Sequence, residues 1–126
     1  MSRIDLSQII TAEVKLADAA LTRAEEIKSA CKARILSAIP ESAQMNVAMA
    51  VTTYTAERLR GGTETEAEAA SGLVDSDFAT ARAGHQWIAD MQSACRILMS
   101  APETDHRDDA AWPPLPEGIA TLVSRF

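Results

Sequence analysis

Basic side chains are scarce in this sequence: 12 Lys and Arg stand against 18 Asp and Glu, a formal net charge of −6, and the cations are scattered. Recognition of a phosphate backbone needs a concentrated basic surface, so neither DNA nor RNA is an expected partner. Long apolar runs are missing as well. No stretch reaches the roughly 18 apolar residues that would cross a bilayer, and the opening Met-Ser-Arg-Ile-Asp-Leu has no apolar core of the kind a secretion signal carries. A soluble chain with no membrane partner is expected. Thiols are rare too, only Cys31 and Cys95, with no second Cys or His at ligand spacing from either. That argues against a metal site. Each cysteine falls within a helical apolar stripe, which favours two buried free thiols, although a disulfide between them stays open.

Signs of catalysis are also wanting. There is no phosphate-cradling loop, no dinucleotide-binding glycine pattern and no paired carboxylate set for acid-base work. No enzyme and no cofactor are expected. Aromatic residues make up 4% of the chain, with Trp87, Trp112, Tyr54, Phe78 and Phe126 as the whole set, while Ala is abundant in every periodic segment. Alanine-rich stripes suit closely packed helices. With 126 residues, 47% of them apolar, the chain has the length for one core, and such a domain buries roughly two thirds of its unfolded surface.

What is present is helical periodicity. Ile10, Val14, Ala17, Leu21, Ala24, Lys28, Cys31, Ile35 and Ala38 alternate at spacings of four and three, a heptad pattern that predicts a long helix over 11–39, with Thr11 as its cap and Pro40 as its stop. Ala20 and Ile27 widen the stripe toward what a bundle helix uses. Glu13, Asp18, Glu25 and Glu26 occupy the first part of this helix and Lys28, Lys32 and Arg34 the last. That order complements the helix dipole and suits an antiparallel neighbour of the same kind. A second helix is predicted over 42–60, capped by Ser42 and stopped by Gly61-Gly62, with a buried strand as the minor alternative. Residues 63–72 are acidic and lack a core-facing stripe, which predicts a loop. A third helix is predicted over 76–100 from a cap at Asp75 or Ser76. Its inner face would carry Phe78, Ala81, His85, Ile88, Met91, Cys95 and Leu98. Residues 102–118 hold four of the five prolines and read as an extended arm, followed by a short helix over 119–126. The fold class is therefore all-α in one domain.

Few side chains suggest chemistry. Asp105, His106, Asp108 and Asp109 are the one ligand-type cluster, but their spacing lacks the glycine and distant glutamate of a calcium loop, so a solvated turn is the better reading. His85 lacks a nucleophile and an orienting carboxylate, which favours a packed, hydrogen-bonded histidine over a catalytic base. Lys28, at a core-type heptad position, either sets register or snorkels at a bundle edge. Trp112-Pro113-Pro114-Leu115-Pro116 is a stiff segment with one large anchor. It either docks on its own domain, the favoured reading, or serves as a polyproline ligand for another protein.

Three segments carry a family likeness: Ile10-Thr11-Ala12-Glu13 opening a long Ala-rich charged helix, Gln86-Trp87-Ile88 in a helix that ends Cys95-Arg96-Ile97-Leu98, and Asp108-Asp109-Ala110-Ala111-Trp112-Pro113. Together they resemble small tail-associated proteins of tailed bacteriophages and prophages, including those described as tail fibre assembly proteins. The likeness covers the first helix and the C-terminal part of the chain; residues 45–72 lie outside it. It implies no catalytic residues. It implies a structural component of a phage or phage-like tail, at the tip or fibre, made in the host cytoplasm and located in the virion. Its partners would be other tail proteins, with a homo-oligomer expected from the heptad stripe. The interface residues would be Ile10, Val14, Ala17, Leu21, Ala24, Lys28 and Ile35 on the helix and Trp112, Pro113 and Pro114 on the arm. A tail fibre assembly chaperone that does not stay in the particle is the alternative. A small acidic regulatory or antitoxin-like protein, masking a basic partner with its acidic loop, is a second.

Overall fold

The computed structural model describes residues 6–126, with side chains from residue 11 onward. It is all-helical, 77% helix, with no strand among the described residues. The helices are α1 (Leu6–Ala38), α2 (Glu41–Leu59), α3 (Glu64–Ser71), α4 (Asp75–Met99) and α5 (Ile119–Ser124), with a 3-10 turn at Asp109–Ala111. At 1.5 Å per residue the 33 residues of α1 reach roughly 50 Å, far longer than any other element. Thr11, expected as a cap, sits inside this helix, because helical backbone already begins at Leu6.

Chain reversals follow the local chemistry, with several corrections to the sequence reading. Pro40 disfavours helical backbone at the residue before it, so α1 stops at Ala38 and α2 starts just after Pro40. Pro40, not Ser42, is the N-cap residue, and no side chain caps this end. Gln44 instead reaches back, its Nε2 donating to the Ile39 carbonyl at 2.8 Å. The expected loop at 63–72 is the helix α3. Thr63 and Glu66 form a reciprocal capping box, in which Glu66 N–H donates to Thr63 Oγ1 at 3.1 Å and Thr63 N–H to Glu66 Oε1 at 3.4 Å. Gly72 closes that helix with a left-handed φ of 79°, which a side chain would resist. One fully buried residue, Ala67, is enough to seat so short a helix against α2.

Helix α4 begins where the Asp77 carboxylate accepts from Val74 N–H at 2.8 Å, which places the N-cap at Val74, one or two residues ahead of the cap expected at Asp75 or Ser76. Its buried residues are Asp77, Gly84, Trp87, Met91, Cys95 and Leu98. The last three match the expected inner face, and Phe78, Ala81 and Ile88 of that face pack against the two cores; Gly84 and Trp87 are buried in addition, and His85 is exposed rather than packed. At Gly84 a Cβ would meet Ile119 Cδ1 of α5 at 2.9 Å, so the missing side chain lets α5 close on α4.

The main core lies where the second half of α1 crosses α4. Ile27, Cys31, Ile39, Trp87, Met91, Cys95, Leu98, Trp112 and Ile119 form one buried cluster. A smaller cluster of Ala50, Leu73 and Leu122 joins α2 to α5, with Phe78 and Phe126 against it. Tyr54 meets Phe78 edge-on at 4.8 Å. Asp77 and Arg125 tie the ends together: Arg125 Nη1 donates to Asp77 Oδ1 at 2.9 Å and Nη2 to the Gly72 carbonyl at 2.6 Å. The guanidinium hydrogen bond is the main reason the Asp77 carboxyl lies below its ordinary 3.8.

The segment 102–118 is less extended than expected. Asp105 accepts from Arg107 N–H and Asp108 from Ala110 N–H, each at 3.0 Å, and these local bonds fold the polar run into turns. The longest stretch without turn, bend or helix is residues 113–116.

Candidate protein-interaction surface

Arg23 marks where the bundle takes hold of α1. Its guanidinium donates to the carbonyls of Leu98 at 2.7 Å and of Ala101 and Thr104 at 2.9 Å, so a cation sits on the last turn of α4 and the turn that follows it. Such a charge also complements the negative end of the helix dipole. Beyond Arg23 the core face of α1 passes through Ile27, fully buried, and Cys31. Before Arg23 the helix is bare: every residue from 11 to 22 is exposed. Val14 is 52%, Leu16 72% and Leu21 64% exposed. Val14 and Leu21, two turns apart on one side of the helix, form an exposed apolar surface of the kind that protein partners cover, while Leu16 stands on the opposite side.

The candidate interface residues fall into separate places. Val14, Ala17 and Leu21 lie together on the bare half of α1, and Ala24 is half-buried where the bundle begins. The side chain of Ile10 lies outside the described residues. Lys28 is exposed and Ile35 packs on the edge of the core. Leu16 was not in the expected set, because it stands off the heptad line; its exposure on a surface helix is its only signal.

A second feature adjoins these residues. The C-terminal half of α1, the start of α2 and the outer side of α4 border an open groove of about 510 Å³. Ile35, Leu36, Ile88 and Met99 give it apolar walls, and Lys28, Lys32 and Arg96 give it three cations against one acid, Glu41. Cys31 and Cys95 line its base. Both are free thiols and both are buried. Cys31 Sγ lies 3.6 Å from the Met91 carbonyl. Burial, and then the neighbouring Cys95 thiol, push Cys31 up to about 11. A neutral thiol in such a place is a packing group and a poor nucleophile.

Trp112 sits apart from this surface, in the core. It is 6% exposed, its Nε1 donates to the His106 carbonyl at 2.8 Å, and the Arg34 guanidinium lies 5.4 Å from the ring centroid. Trp87 Nε1 in turn donates to the Pro113 carbonyl at 3.1 Å, so two indoles fasten the proline segment to α1 and α4. Pro113 is half-buried and Pro114 exposed. The acidic residues nearby are paired: Asp109 with Arg34 of α1 at 2.8 Å and Asp105 with its neighbour Arg107 at 3.0 Å. Among the described residues no group of three or more His, Cys, Asp or Glu is placed to hold a metal ion. No described helix is long and apolar enough to cross a membrane. No protein-family model, curated protein or solved structure matches the chain.

Proposed function

We propose that this chain is a non-enzymatic protein-binding component of a phage or phage-like tail, held at the tail tip or fibre. It would be made in the host cytoplasm and built into the virion. The observation that carries the protein-binding part is the bare half of α1, which presents Val14, Leu16 and Leu21 to solvent on a helix anchored at its other end by the core. A projecting helix with an apolar face gives little to a reaction and much to an assembly. The heptad stripe is the seam in this reading. The Trp112–Pro116 segment serves as a brace for α1, since its indole is enclosed by the chain's own residues. The tail assignment rests on the likeness of Ile10–Glu13, Gln86–Leu98 and Asp108–Pro113 to tail-associated proteins.

The test is composition of purified particles from a lysate producing the tagged chain. Recovery in density-purified particles at fixed stoichiometry supports a structural component. Recovery only in the particle-free lysate, bound to a fibre or tail protein, supports the assembly chaperone. If no tail protein accompanies the chain in either fraction, the tail reading is overturned.

A further inference from the structure

The two features of α1 face the same way. At roughly 100° per residue, Val14, Ala17, Leu21 and Ala24 fall on one side of the helix, and Lys28, Lys32, Ile35 and Leu36, which border the groove, fall on that side too. The bare half thus carries a ridge, and the anchored half a groove, along one line. We infer that the occupant of each groove is the bare half of α1 from a second copy of this chain, in a symmetric antiparallel dimer. This rests on the reading of that helix face as a protein-binding surface, and names the partner.

Charge selects the second copy. Glu13, Asp18 and Glu25 flank the apolar ridge, within roughly 80° of its centre line, whereas Lys15 lies roughly 140° away on the far side. The acids of the bare half therefore meet its partner and the base does not. The groove offers the complement, Lys28, Lys32 and Arg96 around apolar walls. A twofold axis near Arg23 and Ala24 sets residues 11–20 of one copy against 28–36 of the other. Asp18 then stands within a helical turn of both lysines and Glu13 within a turn of Lys32. Parallel pairing would set acid on acid and lysine on lysine. Ala24, small and half-buried, lies at the crossing point, where close approach is needed. The arrangement is closed: each copy gives one ridge and takes one, so both grooves fill and no open chain grows. Lys28 at a heptad core position has its explanation here, as the register-setting polar residue of the seam.

Sedimentation equilibrium and light scattering on the full chain test this. The wild-type chain is expected to be a dimer at micromolar concentration. Leu21→Asp should weaken it by roughly 100-fold, since a charge enters the seam. The pair Glu13→Lys with Asp18→Lys, and separately Lys28→Glu with Lys32→Glu, should each weaken it by roughly tenfold or more. Mixing those two charge-reversed chains should restore a dimer containing one of each, because each ridge again meets a groove of opposite sign. All four residues are exposed, and unchanged circular dichroism verifies the fold of every variant. A monomeric wild-type chain, or failure of the mixture to pair, overturns the dimer. The particle measurement reads the tail assignment independently, so the two can fail separately.

Discussion

Replacing Trp112 with alanine tests whether the proline-rich segment is part of the fold. The indole is 6% exposed and lies between Arg34 of α1 and the core formed with α4. At roughly 25 cal/mol per Å², an indole burying on the order of 200 Å² contributes about 5 kcal/mol. The hydrogen bond to the His106 carbonyl adds about 1 kcal/mol. Partial collapse of the segment into the vacated space returns some of this, and large aromatic truncations generally cost about 3–5 kcal/mol. We expect about 4 kcal/mol. For 126 residues at ~2.1 cal/mol/K each, the unfolding entropy is roughly 0.26 kcal/mol/K, so the thermal midpoint should fall by about 15 °C. Thermal and urea unfolding followed by circular dichroism would measure it, and Trp87, then the sole indole, gives a second probe. Trp112→Phe keeps most of the apolar volume and loses the hydrogen bond, so it should cost only about 1–2 kcal/mol. A Trp112→Ala midpoint within about 2 °C of wild type would refute the docking and return the segment to the ligand class.

Three further outcomes follow from particular contacts. Asp77→Asn should destabilise the chain by about 2 kcal/mol at neutral pH, since it weakens a charge-assisted bond to Arg125. Because the folded carboxyl lies below its ordinary 3.8, wild-type stability from this pair is full above that pH and lost as pH falls through the folded value; the gap between the urea midpoints of the two proteins should be constant near neutral pH and narrow as pH falls below 3.8. A variant that matches wild type across the whole range would show that the pair is not formed. Cys31, pushed from 9.0 up to about 11, favours the neutral thiol in the fold, so its stabilising contribution is full below pH 9 and declines as pH rises toward about 11. Native alkylation at pH 7.5 should be far slower than in urea, and rapid native labelling of Cys31 would show the site to be open. Thr63→Ala removes the capping box of α3 and should cost about 1 kcal/mol, with faster amide exchange confined to Glu64–Ser71. Exchange unchanged there would mean that packing of Ala67 alone holds the helix.

The sequence by itself determined the helices, because periodic apolar residues and the breakers between them act within a few residues. Pro40, Gly61-Gly62 and Pro102 delimit long periodic runs, and the structure's α1, α2 and α4 lie within a few residues of the expected bounds apart from the earlier start of α1. α3 was legible too, in the Thr63-Glu64-Thr65-Glu66 capping pattern followed by Gly72, but the absence of an apolar stripe pointed to a loop; an eight-residue helix needs only one buried side chain. Which face of each helix turns inward was decided only in three dimensions. The heptad line through Val14, Leu21 and Lys28 reads as a core face throughout, yet only its later members Cys31, Ile35 and Ala38 meet the intramolecular core, with Ile27 buried beside them, and Val14, Leu21 and Lys28 stay exposed. A helix can bury only what a neighbour covers, and α4 is too short and too far along to reach the first half of α1. The same holds for His85 and Gly84, whose places were exchanged by the approach of Ile119 from a helix far along the chain. Trp112 is the remaining case: its sequence offered docking or display, and the carbonyl of His106 with the guanidinium of Arg34, brought together by the fold, decided for docking.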